Sequence, residues 1–303
     1  MKRIPILSLF GILVLALVST TAALSAPHSE DIREASLSTG GEVGECGSVK
    51  AGADEEQASR KRPYDNPAFW GTRLINLPTT TTMDGKDILF SLCHRFYGPV
   101  DEGIDTFFGL DSGANVFFSL GYGITDRLGI SVGRASLYKE WELGLDWLAV
   151  EQGSTAGLPF SATLHAGFDW VTLEGSGNLK LNLQISLSHQ VSKRLSFMAV
   201  PAFSTNTNFW ELNPEGTFSV GLGSRYMIFK DFSVILEWIP VVAGYKDIQN
   251  GWGLGIEKKI GGHVFQVFFT NSFGLTGSQF LPGGDLRLDD FDFRFGFNIF
   301  RTF

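Results

Sequence analysis

From about residue 86 to the end of the 303-residue chain, apolar and polar residues alternate with a period of two. That pattern restricts the fold more than any other feature. Leu179, Leu181, Leu183, Ile185 and Leu187 interleave with Lys180, Asn182, Gln184, Ser186 and Ser188. Phe291, Phe293, Phe295, Phe297 and Ile299 stand against Asp292, Arg294, Gly296 and Asn298, and Leu158 to Trp170 repeats the pattern. Successive side chains of a strand point to opposite faces, so each run has one apolar face and one polar face. The runs predict about twelve strands, at 86–96, 112–123, 128–138, 141–150, 158–171, 178–190, 194–205, 217–229, 232–243, 251–260, 262–272 and 289–303. An even number suits a single-chain bacterial barrel. Several runs exceed the roughly six residues usual in soluble strands and match the 9–11 that cross a bilayer at a tilt.

The connections and rings agree with that reading. With both termini periplasmic, the inner turns are Thr125–Arg127, 151–157, Ser192–Lys193, Lys230–Asp231 and Gly261. The outer connections are 97–111, 139–140, 172–177, 206–216, 244–250 and 273–288. Barrels of the outer membrane keep short turns inside and longer loops outside; 151–157 and 139–140 break the rule. Tyr138, Trp141, Trp170, Trp238, Tyr245 and Trp252 fall at outer strand ends, and Tyr122, Tyr226, Phe232 and Phe303 at inner ends. Two aromatic belts of this kind mark the two bilayer interfaces. The last strand closes on Phe303, a terminal ring of the sort that barrel-assembly machinery reads, although Arg301 interrupts the apolar alternation beside it.

Composition fits. Charged residues are 18% and aromatics 13%, with 36 glycines, against about 25% charged in soluble domains. A net charge of −8 provides no basic footprint for nucleic acid. Lys2 and Arg3, the apolar Ile6 to Val18 and the small Ala22, Ala23, Ser25 and Ala26 read as a signal peptide over 1–25. Residues 26–65, rich in Glu, Gly, Ser and Ala, read as a disordered acidic tail. Residues 66–85, with Asn-Pro, Leu-Pro and the run Thr79 to Thr82, read as an extended or plug-like segment before a barrel at 86–303. After the signal no stretch reaches the roughly 18 apolar residues of a membrane helix; Phe232 to Val242 is too short and holds Glu237. No Cys follows the small residues directly, so lipid modification is not expected there. Cys46 and Cys93 have no C-x-x-C spacing, which argues against metal or haem, and whether they pair stays open. No cofactor is expected.

Arg73-Leu74-Ile75-Asn76-Leu77-Pro78-Thr79-Thr80, His94-Arg95-Phe96, Phe108 to Asn115 (FGLDSGAN), Gly123 to Leu128 (GITDRL), Gly133-Arg134, Gly261 to Gln266 (GGHVFQ), Phe269 to Ser272 (FTNS) and Phe295 to Asn298 (FGFN) together resemble an uncharacterised bacterial family of outer-membrane β-barrel proteins, domain of unknown function five-seven-seven-seven. The resemblance spans roughly residues 70 to 303 and leaves out the acidic tail. It implies a closed antiparallel up-and-down transmembrane barrel. The family carries no established activity, so no catalytic residue transfers from it.

If the apolar faces meet lipid, the lumen receives Glu142, Asp146, Asp169, Glu237, Glu257 and Asp292, with Arg95, Lys180, Arg225 and Arg294, and His165 among amides. Such charges either pair into a ladder that fills a narrow barrel or line a small-solute pore with a mild preference for cations. Inward glycines such as Gly121, Gly129, Gly144, Gly221, Gly223, Gly253 and Gly255 allow close packing or sharp coiling. Two rival readings stand beside this one. A soluble periplasmic ligand-binding barrel would turn its apolar face inward. An outer-membrane lipid hydrolase would need a nucleophile and a base. His94 and His263 are read as the strand histidines outside the lumen, and there is no G-x-S-x-G or H-E-x-x-H motif. Expected partners are outer-membrane lipid, the assembly machinery at Phe303, and an unknown periplasmic partner for the tail.

Overall fold

The computed structural model describes residues 67–154, 157–173, 178–208 and 215–303. The predicted signal peptide, the predicted acidic tail and Cys46 lie outside these residues.

Alternation of the kind seen over 178–190 forces side chains alternately to the two faces of a sheet, and a sheet with one greasy face and no free edge closes on itself. The strands are β1 (Ile88–Phe96), β2 (Ala114–Thr125), β3 (Leu128–Ala135), β4 (Glu140–Val150), β5 (Ser161–Val171), β6 (Asn178–Gln190), β7 (Leu195–Ser204), β8 (Thr217–Phe229), β9 (Phe232–Ile239), β10 (Val241–Gly244), β11 (Gly251–Ile260), β12 (His263–Thr270) and β13 (Arg294–Thr302). β9 and β10 are two parts of one crossing, interrupted at Pro240, which has no N–H to give the ladder. Twelve crossings therefore form the wall, each pairing antiparallel with its sequence neighbours. The seam joins the first strand to the last, in a register from Leu89 opposite Thr302 to Arg95 opposite Gly296. The protein is a closed antiparallel β-barrel.

The side chains point as a membrane requires. In β6, Leu179, Leu181, Leu183, Ile185 and Leu187 face outward and exposed, while Lys180, Asn182, Gln184, Ser186 and Ser188 are buried inside. This orientation corrects the soluble ligand-binding alternative, whose apolar face would turn inward. Trp141, Trp170 and Trp238 ring one end, and Tyr122, Trp147, Tyr226 and Phe303 the other. Among the described residues no helix is long and apolar enough to cross a membrane; the crossing is made by strands.

The end at which β1 begins carries the connections 126–127, 151–160, 191–194, 230–231 and 261–262 and is called the turn end below. Asp231 and Gly261 take left-handed φ values of 63° and 56° there, as tight hairpins demand. The opposite, loop end carries 97–113, 136–139, 172–177, 205–216, 245–250 and 271–293.

Three strand boundaries differ from expectation by three residues or more. β3 ends at Ala135 rather than 138, and Tyr138 lies in a tight turn over Leu137–Lys139. β5 starts at Ser161 rather than 158, just past Pro159. β13 starts at Arg294 rather than 289. Residues 288–290 instead form a tight turn that ends on left-handed Phe291. Arg287 holds that turn by bonding Asp289 at 2.6 Å and Asp290 at 3.2 Å, so Phe291 and Asp292 leave the predicted strand.

Candidate functional site: an occluded lumen

Residues 67–85 form a hairpin inside the barrel. Its two arms lie near the turn end, where Pro67, Ala68 and Thr80 to Thr82 face Leu148, Gln152 and Gln190. Arg73 pairs with Pro78 across it, and at the tip Leu74 N–H donates to Leu77 O at 2.9 Å. The threonine run has a division of labour set by alternation. Thr79 and Thr81 hydroxyls donate within the hairpin, to Gly71 O and Phe69 O at 2.7 Å each. Thr80, facing the other way, bonds Ser188 of the wall at 2.6 Å.

The tip is fastened by an acid in the wall. Glu237 on β9 accepts from the backbone N–H groups of Ile75, Asn76 and Leu77 at 3.2, 2.9 and 3.2 Å, and from Asn76 Nδ2 at 2.7 Å. Opposite it, Arg95 on β1 donates to Asn76 Oδ1 at 2.8 Å, Ile75 O at 3.1 Å and Asn298 Oδ1 at 2.9 Å. Asn76 thus stands between a buried carboxylate and a buried guanidinium, and each finds partners that offset its loss of water. The apolar side chains of the tip are also matched. Leu74, Ile75 and Leu77 pack with Met198, Val200, Ile235, Ile239 and Phe268, all of which project inward. Gly221, Gly223 and Gly253 make the room: a Cβ on each would stand 2.4, 2.6 and 2.8 Å from Leu77, Leu74 and Ile75.

A second segment enters from the loop end. Within 271–293, a short helix Gly277–Phe280 drops into the barrel, with Leu275, Phe280 and Leu281 buried. Glu140 on β4 accepts from Thr276 and Ser278 and from Lys180 on β6, the last at 2.9 Å. The two segments touch: Arg73 donates to Leu275 O at 2.5 Å and pairs with Glu142 at 2.9 Å. The space left consists of small cavities. One of about 80 Å³ lies beside Arg73, Glu142, Asp146, His165 and Gln184. Another of about 180 Å³ forms a vestibule at the loop end, lined by Tyr138, Asp247, Phe273 and Asp285.

The side chains assigned to the lumen from sequence are placed as follows. Arg95, Glu142, His165, Asp169, Lys180, Arg225, Glu237, Glu257 and Arg294 are buried within the barrel. Asp146 also faces inward, with a quarter of its side chain accessible. Arg225 stacks its guanidinium 4.2 Å over Trp70 of the hairpin, Glu257 accepts from Gln266, and Arg294 binds Asp285 at 2.6 Å. Asp292 is a correction. It lies in the 271–293 loop rather than on a strand, because the Arg287-held turn ends the alternation early. There, partial desolvation and the neighbouring Asp101 carboxyl raise its pKa above the ordinary carboxylate value. His189 is a second correction: it is a third outward-facing strand histidine besides His94 and His263, hydrogen-bonded to Pro159 O. Cys93 is a free, buried thiol.

Sequence reasoning missed Glu140 and the apolar inward patch. That patch had a signal. β7 reads Phe197-Met198-Ala199-Val200 and β9 reads Val234-Ile235-Leu236, apolar on both parities, which marks a strand covered on both faces.

One arrangement in the cavity wall has the outline of an acyl-transfer triad. His165 Nδ1 lies 2.6 Å from Asp146 and its Nε2 lies 3.0 Å from Ser186 Oγ. Ser186, however, is fully buried and donates to Pro78 O of the hairpin at 2.6 Å. The hydroxyl that would attack is committed to the plug, so the chain of bonds acts as a clamp on it. Among the described residues, no group of three or more His, Cys, Asp or Glu is arranged to hold a metal ion.

A lipid-facing barrel with a lumen stoppered from both ends is thus the class of protein defined here. The chain belongs to the family described as Membrane bound beta barrel domain (DUF5777), whose model matches residues 69–303; the matched span takes in the hairpin as well as the wall. None of the curated proteins matches the chain. Among solved structures, the NanC porin is similar at 6% identity and a TM-score of 0.46, covering 71% of this chain and 98% of that one. An outer membrane channel from Pseudomonas putida F1 is similar at 12% identity and a TM-score of 0.45, covering 73% and 97%. Likenesses at this level transfer no function.

Proposed function

We propose that this protein is a bacterial outer-membrane, porin-like channel for small solutes, shut in the state described by the hairpin 67–85, and that it is not an enzyme. The observation that carries the reading is the wall behind the hairpin. It holds Glu140, Glu142, Asp146, Asp169, Glu237 and Glu257 against Arg95, Lys180, Arg225 and Arg294. Six acids to four cations favour cations modestly once the hairpin moves aside, since rings of charged side chains set pore selectivity. On this reading the turn end is periplasmic, the last strand ending at Phe303 is what assembly machinery engages, and residues 26–65 meet any partner in the periplasm. A second reading, a permanently filled structural barrel, is favoured by the apolar seating of Leu74, Ile75 and Leu77.

Locking the hairpin separates the two. In a C46S/C93A background, T80C/S188C places two thiols where the side chains already meet at 2.6 Å. Conductance in planar bilayers that appears on reduction and vanishes on oxidation is the expected result. Equal conductance in both states removes the hairpin as the gate, and silence in both leaves the structural reading.

A further inference from the structure

The outer wall over β2 and β3 carries a trough of about 440 Å³, lined almost wholly by apolar groups from Phe90, Val116, Phe118, Leu120, Val132 and Trp141. Three rings, Phe90, Phe118 and Trp141, and two small valines, Val116 and Val132, are among its lining. The trough starts at the loop-end rim, where Phe118, Arg134 and Trp141 lie side by side, and runs toward the bilayer centre at Leu120 and Val132. From Val116 to Leu120 the strand advances about 13 Å at the usual rise, the length of roughly ten extended methylenes.

Arg134 closes the rim end of the trough. It occupies an outward position in step with Ile130 and Val132, and its guanidinium lies 5.7 Å from the Trp141 ring. Among the described residues its guanidinium has no hydrogen bond or ion pair, in contrast to those of Arg73 and Arg294, which are paired. Lys139, in the four-residue connection 136–139 that follows β3, is likewise exposed, and its ammonium has no partner among the described residues. That connection has no overhang of its own. The adjacent 97–113 loop is tied to the 271–293 loop, Val100 N–H donating to Phe293 O at 2.8 Å. An unpaired Arg on a lipid-facing wall gains nothing from hydrocarbon. A guanidinium fork matches phosphate oxygens in charge and in geometry.

We propose that this trough is a lipid site: one acyl chain of a phosphate-bearing lipid lies along β2 and β3, and its phosphate is held by Arg134 with Lys139 beside it. The site is separate from the lumen and does not depend on whether the barrel conducts.

The test is native mass spectrometry of the full barrel in detergent with three probes: phosphatidylglycerol, chain-matched diacylglycerol, and inorganic phosphate. The wild type is expected to retain phosphatidylglycerol at least tenfold better than diacylglycerol and to ignore inorganic phosphate. R134Q/K139Q should bring phosphatidylglycerol down to the diacylglycerol level, and V132W, which fills the trough, should lower both. R301Q is the control, because Arg301 is an outward cation at the turn end that already bonds His263. Circular dichroism and heat-dependent gel mobility verify the fold of each variant. Undiminished retention in R134Q/K139Q overturns the proposal, as does an equal loss in R301Q or equal retention of the two lipids by wild type.

Discussion

Replacing Glu237 with Gln exchanges one oxygen for an NH2 and changes almost no volume, yet it acts on the bond set that seats the hairpin. The carboxylate takes three backbone N–H groups on one oxygen and Asn76 Nδ2 on the other. A glutamine can turn its oxygen toward the backbone groups, but its NH2 then opposes Asn76 Nδ2. Asn76 is unable to rotate in response, because its Oδ1 already accepts from Arg95. One charge-assisted bond is lost, worth about 1.5–3 kcal/mol, and the surviving bonds lose the charge that made them roughly twice as strong as neutral ones. A net weakening of about 3 kcal/mol corresponds to roughly a hundredfold shift toward the unseated hairpin. Amide hydrogen exchange in nanodiscs reads it directly. The Ile75, Asn76 and Leu77 amides should exchange about a hundredfold faster, while β6 and β12 keep their protection. If a folded E237Q protein protects residues 74–78 as well as wild type does, Glu237 is not what holds the tip, and the argument fails.

Two further perturbations probe the same lumen from other sides. G221V adds methyl groups to a position where even a Cβ meets Leu77 at 2.4 Å; overpacking of this kind costs about 1–3 kcal/mol, and faster exchange at Leu77 with an intact barrel is the expected readout. K180M leaves Glu140 buried without its ammonium, a loss of about 3–5 kcal/mol for a broken buried pair. Limited proteolysis should then cut within 271–293, and adding E140Q should restore resistance; unchanged resistance in K180M alone contradicts a pinning role for the pair.

The wall of this barrel is legible in the sequence because a period of two leaves little freedom: once Leu183 points to lipid, Asn182 and Gln184 point inward. The contents are much less so. The hairpin has no period, and its fixing bonds, such as Asn76 to Glu237 or Arg73 to Leu275, join residues more than 150 positions apart. Nothing local in Arg73 to Pro78 announces that three consecutive N–H groups will find one carboxylate. Asp292 misled for a related reason: its alternation with Phe291 and Phe293 is genuine, but Arg287 draws Asp289 and Asp290 into a turn that overrides it. The doubly apolar runs of β7 and β9 were the readable trace of an occupied interior. A strand that is greasy on both parities needs something greasy on its inner side.

The hairpin immediately precedes β1, the strand that meets β13 to complete the cylinder. Ile75 O accepts from Arg95 on the first of these strands and from Asn298 on the last, at 3.1 and 2.9 Å. One carbonyl therefore rivets both margins of the sheet from within. Withdrawing the obstruction strips that rivet from the closing pair, so clearing the bore and loosening the join are thermodynamically coupled. Whatever force empties this cylinder also works against its own hoop.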